Sequence, residues 1–367
     1  MNETPNLYFS GEDFTTFLMF AKSMSNSKGS KTALLHVEDG KLVCKSTDSN
    51  RSNYIEYIVD LYNDDNIIDE PIAISINDLT ALIKCANSNR FAIRKNMNQY
   101  EFNIIGGGWL PFKVVEVNLN SYNFAGEVSE IGSVSSVKFR NAISSVLSYT
   151  QDYSYARDKY IQFSKDQMTV TSRRSGVVSA GEFADVTLHR DDAAMLKTLL
   201  KSEFNLLIES VVSNGEQRVL FTGPKFKYAI MASEVDSVDI KYRTDLNNYV
   251  KINCEDLYKI CVFSEEYSSS KHILDLSIKD GLFRVSVKNV LAAKHVSTLR
   301  TKRVGSIQDT AHNTEVSSSV LLKTLKMFKE KHTDEVNIYI TDNCSLECGY
   351  IVIFDESTQA IIDVCTR

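Results

Sequence analysis

The residues to test first for chemistry are six histidines, at positions 36, 189, 272, 295, 312 and 332. None lies in an HExxH, GxSxG or Cys/His setting, so neither a metal-bound water nor an activated nucleophile has its usual partners. The closest cysteine pairs, Cys254 with Cys261 and Cys344 with Cys348, lack the CxxC spacing of a zinc site. Asp64 and Asp65 adjoin with same-sign neighbours and no acid–base partner, which reads as a charged loop. Gly106-Gly107-Gly108 is not followed by Lys-Ser/Thr and is a turn rather than a phosphate-binding loop. No enzyme activity, metal or cofactor is expected. What remains is positive charge at helical spacing. In the stretch 317–340, Leu321, Leu325 and Phe328 fall on one stripe while Lys323, Lys326 and Lys329 fall on another.

That stretch reads helix, polar loop, strand, and the same pattern occurs at 191–208 and 77–93. Leu-Lys-Thr-Leu recurs literally at 196–199 and 322–325, with Ile83-Lys84-Cys85-Ala86 in the first copy. Three copies spaced by a little under a third of the chain imply a repeated domain. Within each third the periodicity predicts helix, three strands, helix, three strands. In the first, Ser10 caps a helix carrying Phe14, Phe17, Leu18 and Ala21. Alternating strands follow at 32–38, 42–47 and 54–61, with Asp39-Gly40 as a hairpin turn. A further strand at 71–76 leads into the helix at 78–87. In the second, a helix at 137–149 buries Phe139, Ile143, Val146 and Leu147. The third opens with Asn253 as cap and a helix at 255–262. Two helices with apolar stripes on one side of a curved antiparallel sheet satisfy both layers, an α+β unit.

A chain of 367 residues suits two or three domains, and 43% hydrophobic with 24% charged residues is a soluble globular composition. No apolar run reaches membrane-spanning length and the N-terminus lacks a signal-peptide layout, so a cytoplasmic location without membrane partners is expected. Seven scattered cysteines suit reduced thiols. The net charge of −6 argues against a uniformly basic nucleic-acid binder. Only the local distribution sets the field a ligand feels, however. The acids of the inferred helices, Glu12, Asp13, Asp78, Asp191, Asp192, Glu255 and Asp256, cluster in first turns, where they favour the positive end of the helix dipole. The rest of the helix surface is basic.

The segments DGKLVCKSTDSN (39–50), FRNAISSVLSYTQD (139–152), QMTVTSRR (167–174) and 263–289, with 316 to the C-terminus, resemble the bacterial DNA sliding clamp, the β subunit of DNA polymerase III. The resemblance rests on triplication, length and order rather than on one motif, and its divergence points to a phage or plasmid copy. It implies three tandem clamp domains, at 1–124, 125–246 and 247–367, in an arc-shaped monomer that forms half of a six-domain ring. It also implies a head-to-tail homodimer, a replicative DNA polymerase and a clamp loader as partners, and sequence-independent binding of double-stranded DNA.

The resemblance places Lys22, Lys84, Lys138, Arg140, Lys197, Lys201, Lys259, Lys323, Lys326 and Lys329 on helices lining a hole. Lysines on flexible stems touch phosphate without reading base edges, as sliding requires. Loop residues Lys28, Lys31, Tyr153, Tyr155 and Arg157 lie where the family contacts DNA; for the tyrosines the alternative is local packing. A groove for partner peptides is implied at Ser172, Arg174, Val177, Ile361, Ile362, Val364 and Cys365. The family's tail proline is missing and Asp363 stands among the hydrophobic residues, so a reshaped pocket is expected; Ile361 and Val364 also fit an ordinary core strand. For the dimer joint, Trp109, Phe112, Val262, Phe263 and Ile273 are implied, with a strand at 109–115 pairing with a partner's strand at 272–278. The alternative for Trp109 is a core position. The competing reading of the whole is a structural or virion protein of triplicated β-rich domains, which has no need of basic residues on every helix.

Overall fold

Among the described residues each of the six α-helices grows directly out of a strand, with no turn between them. The computed structural model describes residues 6–24, 32–48, 53–63, 67–86, 89–122, 126–150, 159–172, 175–213, 215–233, 240, 242–244, 246, 249–267, 273–279, 282–288, 294–299, 302–304, 314–340 and 349–364. Within them the order strand, helix, four strands, helix, three strands is written three times. The first copy is β1 (Asn6–Ser10), α1 (Gly11–Met24), β2 (Thr32–Glu38), β3 (Lys41–Thr47), β4 (Tyr54–Val59), β5 (Ile72–Ser75), α2 (Ile76–Lys84), β6 (Arg90–Asn96), β7 (Gln99–Asn103) and β8 (Trp109–Phe112). The second is β9 (Glu127–Ser135), α3 (Ser136–Leu147), β10 (Tyr160–Phe163), β11 (Gln167–Ser172), β12 (Ser175–Ala180), β13 (Val186–His189), α4 (Arg190–Leu199), β14 (Asn205–Ser213), β15 (Glu216–Gly223) and β16 (Phe226–Met231). The third is β17 (Tyr249–Asn253), α5 (Cys254–Tyr267), β18 (Ile273–Lys279), β19 (Leu282–Lys288), β20 (Lys294–Leu299), an added short β21 (Lys302–Val304), β22 (Thr314–Ser317), α6 (Ser318–Glu330), β23 (Glu335–Ile340), β24 (Gly349–Phe354) and β25 (Thr358–Val364).

The strand-to-helix junctions are held by local caps. Ser10 Oγ accepts a hydrogen bond from the Asp13 amide at 3.2 Å, and Asn253 Oδ1 accepts one from the Asp256 amide at 3.0 Å. Both caps match the expectation from sequence. Asp39 (φ 50°) and Gly40 (φ 70°) take the two left-handed positions of the β2–β3 turn, as an Asp-Gly hairpin requires.

The chain divides into two compact units, Met1–Ser135 with Ser202–Ala232, and Ser136–Lys201 with Ser233–Arg367. In the first unit a four-stranded sheet runs β1-β6-β7-β8 and an eight-stranded sheet runs β5-β2-β3-β4-β16-β15-β14-β9. In the second a nine-stranded sheet runs β13-β10-β11-β12-β25-β24-β23-β17-β21 and a four-stranded sheet β20-β19-β18-β22. Each long sheet joins two copies of the repeat by one antiparallel pair, β4 with β16 and β12 with β25. The expectation of six strands in one sheet per copy is corrected: the first two copies contribute eight strands each and the third nine, divided between two sheets. The strand before each copy's first helix escaped the periodicity because no turn residue marks it off.

The first unit's core is aromatic. Phe9, Phe14, Phe91 and Phe102 are buried and meet edge-to-face, with ring centroids 5.1 Å apart for Phe9–Phe14 and 6.0 Å for Phe9–Phe91. In the second unit α6 buries Leu321, Leu325, Met327 and Phe328, which leaves its lysines on the other side. Among the described residues no helix is long and apolar enough to cross a membrane.

Candidate nucleic-acid interface and partner groove

Burial of one face decides where the helix cations stand. In the first unit, Lys22 and Lys84 are exposed in the last turns of α1 and α2, near the negative ends of the helix dipoles. In the second unit the helices pack in the order α4-α3-α6-α5. Lys138 is exposed on α3, Lys201 lies just beyond α4, and Lys326 is exposed on α6 beside the half-buried Lys323. Among the described residues no ion pair engages Lys84, Lys197, Lys201 or Lys326.

Three of the expected contacts have other work. Arg140 is half-buried and its Nη1 donates to the Lys201 carbonyl at 3.4 Å, placing a guanidinium at the negative end of α4. Lys329 Nζ lies 2.5 Å from Glu255 and 3.8 Å from the centre of the Tyr258 ring, and Lys259 lies 3.6 Å from the same carboxylate. The hydrogen bond from Lys329 holds the Glu255 carboxyl below its ordinary range and raises the lysine in turn. Glu255 therefore offsets part of the positive charge of α5 and α6. Lys28, Lys31, Tyr153, Tyr155 and Arg157 lie outside the described residues.

The groove residues separate by strand alternation. Gly176 faces Ile361, and Val178 faces Gln359, across the β12–β25 pair; these four share one face of the sheet. Val177 and Ile362 point to the opposite face and are buried there, on the side where the Tyr149 hydroxyl donates to Ser175. Val177, Ile361 and Ile362 therefore do not share one face: Ile361 lies on the Gly176 side, and the other two are buried on the opposite side. Ser172 and Val364 lie in β11 and β25, and Arg174 and Cys365 lie outside the described residues.

Sequence reading missed what lies on the Gly176–Ile361 face. Ile240 sits so closely on Gly176 that a Cβ there would collide with Ile240 Cδ1. Two glutamines hold the following segment. Gln167 Nε2 donates to the Ile240 carbonyl at 3.1 Å, and Gln359 Oε1 accepts from the Arg243 amide at 2.8 Å while its Nε2 donates to the Arg243 carbonyl. Arg243 stacks over Tyr350, 4.3 Å from the ring centre. Gln359 is buried, and a buried amide in a strand must find partners; that was the one available signal. Gly176→Ala is expected to lift Ile240 off the sheet and cost about 1–3 kcal/mol, the usual range for overpacking, measured by urea unfolding.

At the expected dimer joint, β8 is an edge of its sheet. Trp109 is half-buried, with Arg94 stacked 4.3 Å from its ring centre and salt-bridged to Glu101 at 2.6 Å, so it is no core residue. Phe112 is buried against Tyr100 within its own sheet. The edge ends there, because Val114 bridges Ile74 and the Val115 amide donates to Ala73 in β5. The partner strand expected at 272–278 is corrected: β18 is flanked by β19 and β22, with Ile273 opposite Ser317, so it offers no edge. Val262 is half-buried and Phe263 exposed on α5. In the same sheet β20 stands at an edge.

Antiparallel sheets shared between tandem copies of one βα repeat, with paired helices in every copy, define the DNA sliding-clamp fold. The chain is similar over its whole length to the DNA polymerase III subunit beta of Borrelia burgdorferi (TM-score 0.75, 14% identity, 100% of both chains). It is likewise similar to that subunit from Pseudomonas aeruginosa (0.74, 15%, 99% of this chain and 100% of that one) and to the DNA polymerase sliding clamp of Bacillus subtilis (0.75, 12%, 100% of both). No protein-family model matches the sequence, and no curated protein matches it. At these identities the likeness is one of fold.

Proposed function

We propose that the chain is a DNA sliding clamp: a non-enzymatic processivity factor, built of clamp domains at 1–124, 125–246 and 247–367, that encircles duplex DNA and tethers a replicative polymerase. The observation that carries this reading is a rule obeyed at both internal joints. The fourth strand of one copy pairs with the eighth strand of the next, Glu56 opposite Lys227 in one case and Val178 opposite Gln359 in the other. The rule leaves one eighth strand, β8, and one fourth strand, β20, unmatched. Two chains joined head to tail through these edges close a ring of six copies, and closure removes both exposed edges.

The register follows from equivalence. Trp109 holds the place of Lys227 and Gln359, each opposite the matching residue of the seventh strand. Val296 holds the place of Glu56 and Val178. Trp109 of one copy then lies opposite Val296 of the other.

Cations on the solvent faces of the helices supply a sequence-independent attraction to phosphate, strong at low salt and compatible with sliding. The face of Gly176, Ile361 and the 240–243 segment is the candidate site for polymerase and clamp-loader peptides. The reading is tested by loading the protein onto nicked circular duplex with a bacterial clamp loader. Expected is co-elution of two chains with the circle and loss of the protein when the circle is cut. Equal retention on linear DNA of the same length refutes encirclement.

A further inference from the structure

The two internal joints share their backbone bonds and differ in charge. At the first, the Ile58 amide donates to the Lys225 carbonyl at 2.7 Å; at the second, the Ala180 amide donates to the Ser357 carbonyl at 3.0 Å. Lys225 and Ser357 thus hold one place in the repeat, and so do Lys227 and Gln359. On the receiving side, Asp13 and Lys138 are each the third residue of a helix, α1 and α3, and Asp60 corresponds to Glu182.

At the first joint this place is ionic. Lys225 Nζ lies 2.9 Å from Asp13 and 2.6 Å from Asp60, and Lys227 Nζ lies 3.1 Å from Glu56. Glu56 also takes Lys45 at 3.3 Å and the Tyr54 hydroxyl at 2.9 Å. Burial alone would raise the Glu56 carboxyl, but Lys227 and Lys45 outweigh it and hold it below its ordinary range. At the second joint a cavity of ≈ 360 Å³, lined by Lys138, Ser179, Glu182 and Ser357 among others, stands where the first joint has the Lys225 side chain. Lys331, on the cavity wall, is taken up by Asp355 at 2.7 Å, Thr358 at 2.7 Å and Ser357 at 3.2 Å.

Backbone pairing does little to tell β16 from β25, since each offers a fourth strand the same hydrogen bonds, whereas β8 lacks an N–H at Pro111. A chain that carries this joint twice, meeting other chains during synthesis, could exchange one for the other. We propose that Lys225 and Lys227 are the specificity determinants by which the β16 edge selects β4 over β12. Placed on β12, the edge would bring Lys225 between Lys138 and Glu182, with a cation in place of one of its two carboxylates, and Lys227 to Val178. In the converse exchange, β25 on β4 would leave Asp13, Asp60 and Glu56 facing Ser357 and Gln359. Asp13 is mostly shielded from solvent, so leaving it without a cation is strongly unfavourable, and Glu56 would keep Lys45 but lose Lys227. Correct pairing is favoured both by attraction at the first joint and by mismatch at the second. The inference rests on the fold and not on the DNA reading.

The test uses the full chain and two readouts, hydrogen exchange of β4 and β16 amides and native mass. Lys225→Glu with Lys227→Glu is expected to raise exchange in these strands at least tenfold and to populate assemblies larger than the wild type's. Adding Asp13→Lys, Glu56→Lys and Asp60→Lys should restore both readouts. Should the reversed variant fail to fold, Lys225→Met with Lys227→Gln keeps the packing and should still yield mis-assembled masses. Wild-type mass and protection in the reversed variant, or in the neutral one, overturns the proposal, as does failure of the compensating changes in a folded chain.

Discussion

Charge reversal of Lys197, Lys201, Lys323 and Lys326 together is expected to lower affinity for duplex DNA by on the order of 10³-fold near 0.1 M salt. It should also flatten the salt dependence by roughly 3–4 units of slope, at about 0.9 for each phosphate no longer neutralised. These four stand on α4 and α6 or just past their ends, opposite the faces that bury Leu196, Leu199, Leu321, Leu325 and Phe328. Reversal therefore alters the surface field with little change in packing, and circular dichroism and the thermal midpoint should stay close to wild type. An internal control comes from α5. Lys259 and Lys329 already share Glu255, so their reversal should cost less per residue than that of Lys201 or Lys326. Affinity measured against salt for a duplex too short to be threaded separates direct phosphate contact from encirclement. An unchanged slope in the fourfold variant removes these helices from the DNA-facing surface.

Several parts of this arrangement were legible before any coordinates. The α6 stripe, the Asp39-Gly40 turn and the caps at Ser10 and Asn253 are local signals, written within four residues and realised by hydrogen bonds of the same span. The triplication was legible because the Leu-Lys-Thr-Leu helix must bury one face wherever it occurs. β9 was not, since its sequence EVSEIGSVS is polar and it passes into α3 without a turn. The joints were not, because β4–β16 and β12–β25 unite strands more than a hundred residues apart, and nothing near Lys225 announces that Asp13 will receive it. The division of the expected groove residues between two faces was hidden for a simpler reason. Ile361 and Ile362 are equally hydrophobic, and only the register of β25 on β12 decides which one meets the 240–243 segment. The edge expected at β18 is not one because β22, four residues that pass straight into α6, fills β18's second side.

The joint between copies makes the other large prediction, and the tenth residue of each copy's first helix supports it. Phe20 in α1 is 2% exposed and Ser145 in α3 is 7% exposed, whereas Phe263 in α5 is 38% exposed. Only in the third copy is that place uncovered, and it belongs to the copy whose fourth strand, β20, ends its sheet. If β8 of a second chain docks there, Phe263 becomes as buried as its counterparts. Phe263→Asp should then cost about 2–4 kcal/mol of association, the range of a central aromatic anchor, and shift a two-chain particle to single chains in sedimentation. Phe112→Asp is a poorer probe, since Phe112 packs on Tyr100 inside its own sheet and its loss would unsettle the fold as well as the joint. The register has its own test. Directly opposed residues of antiparallel strands bring their Cβ atoms to about 4.5–5.5 Å, near enough for a disulfide after small adjustment. Trp109→Cys in one chain and Val296→Cys in another should cross-link on mild oxidation into a species of two chains, while either variant alone should not. Cross-linking both joints of one particle already on circular DNA should make it resist removal by salt, because a covalently closed ring can leave only through a break in the duplex. Release by salt despite complete cross-linking would mean that β8 and β20 meet without enclosing DNA.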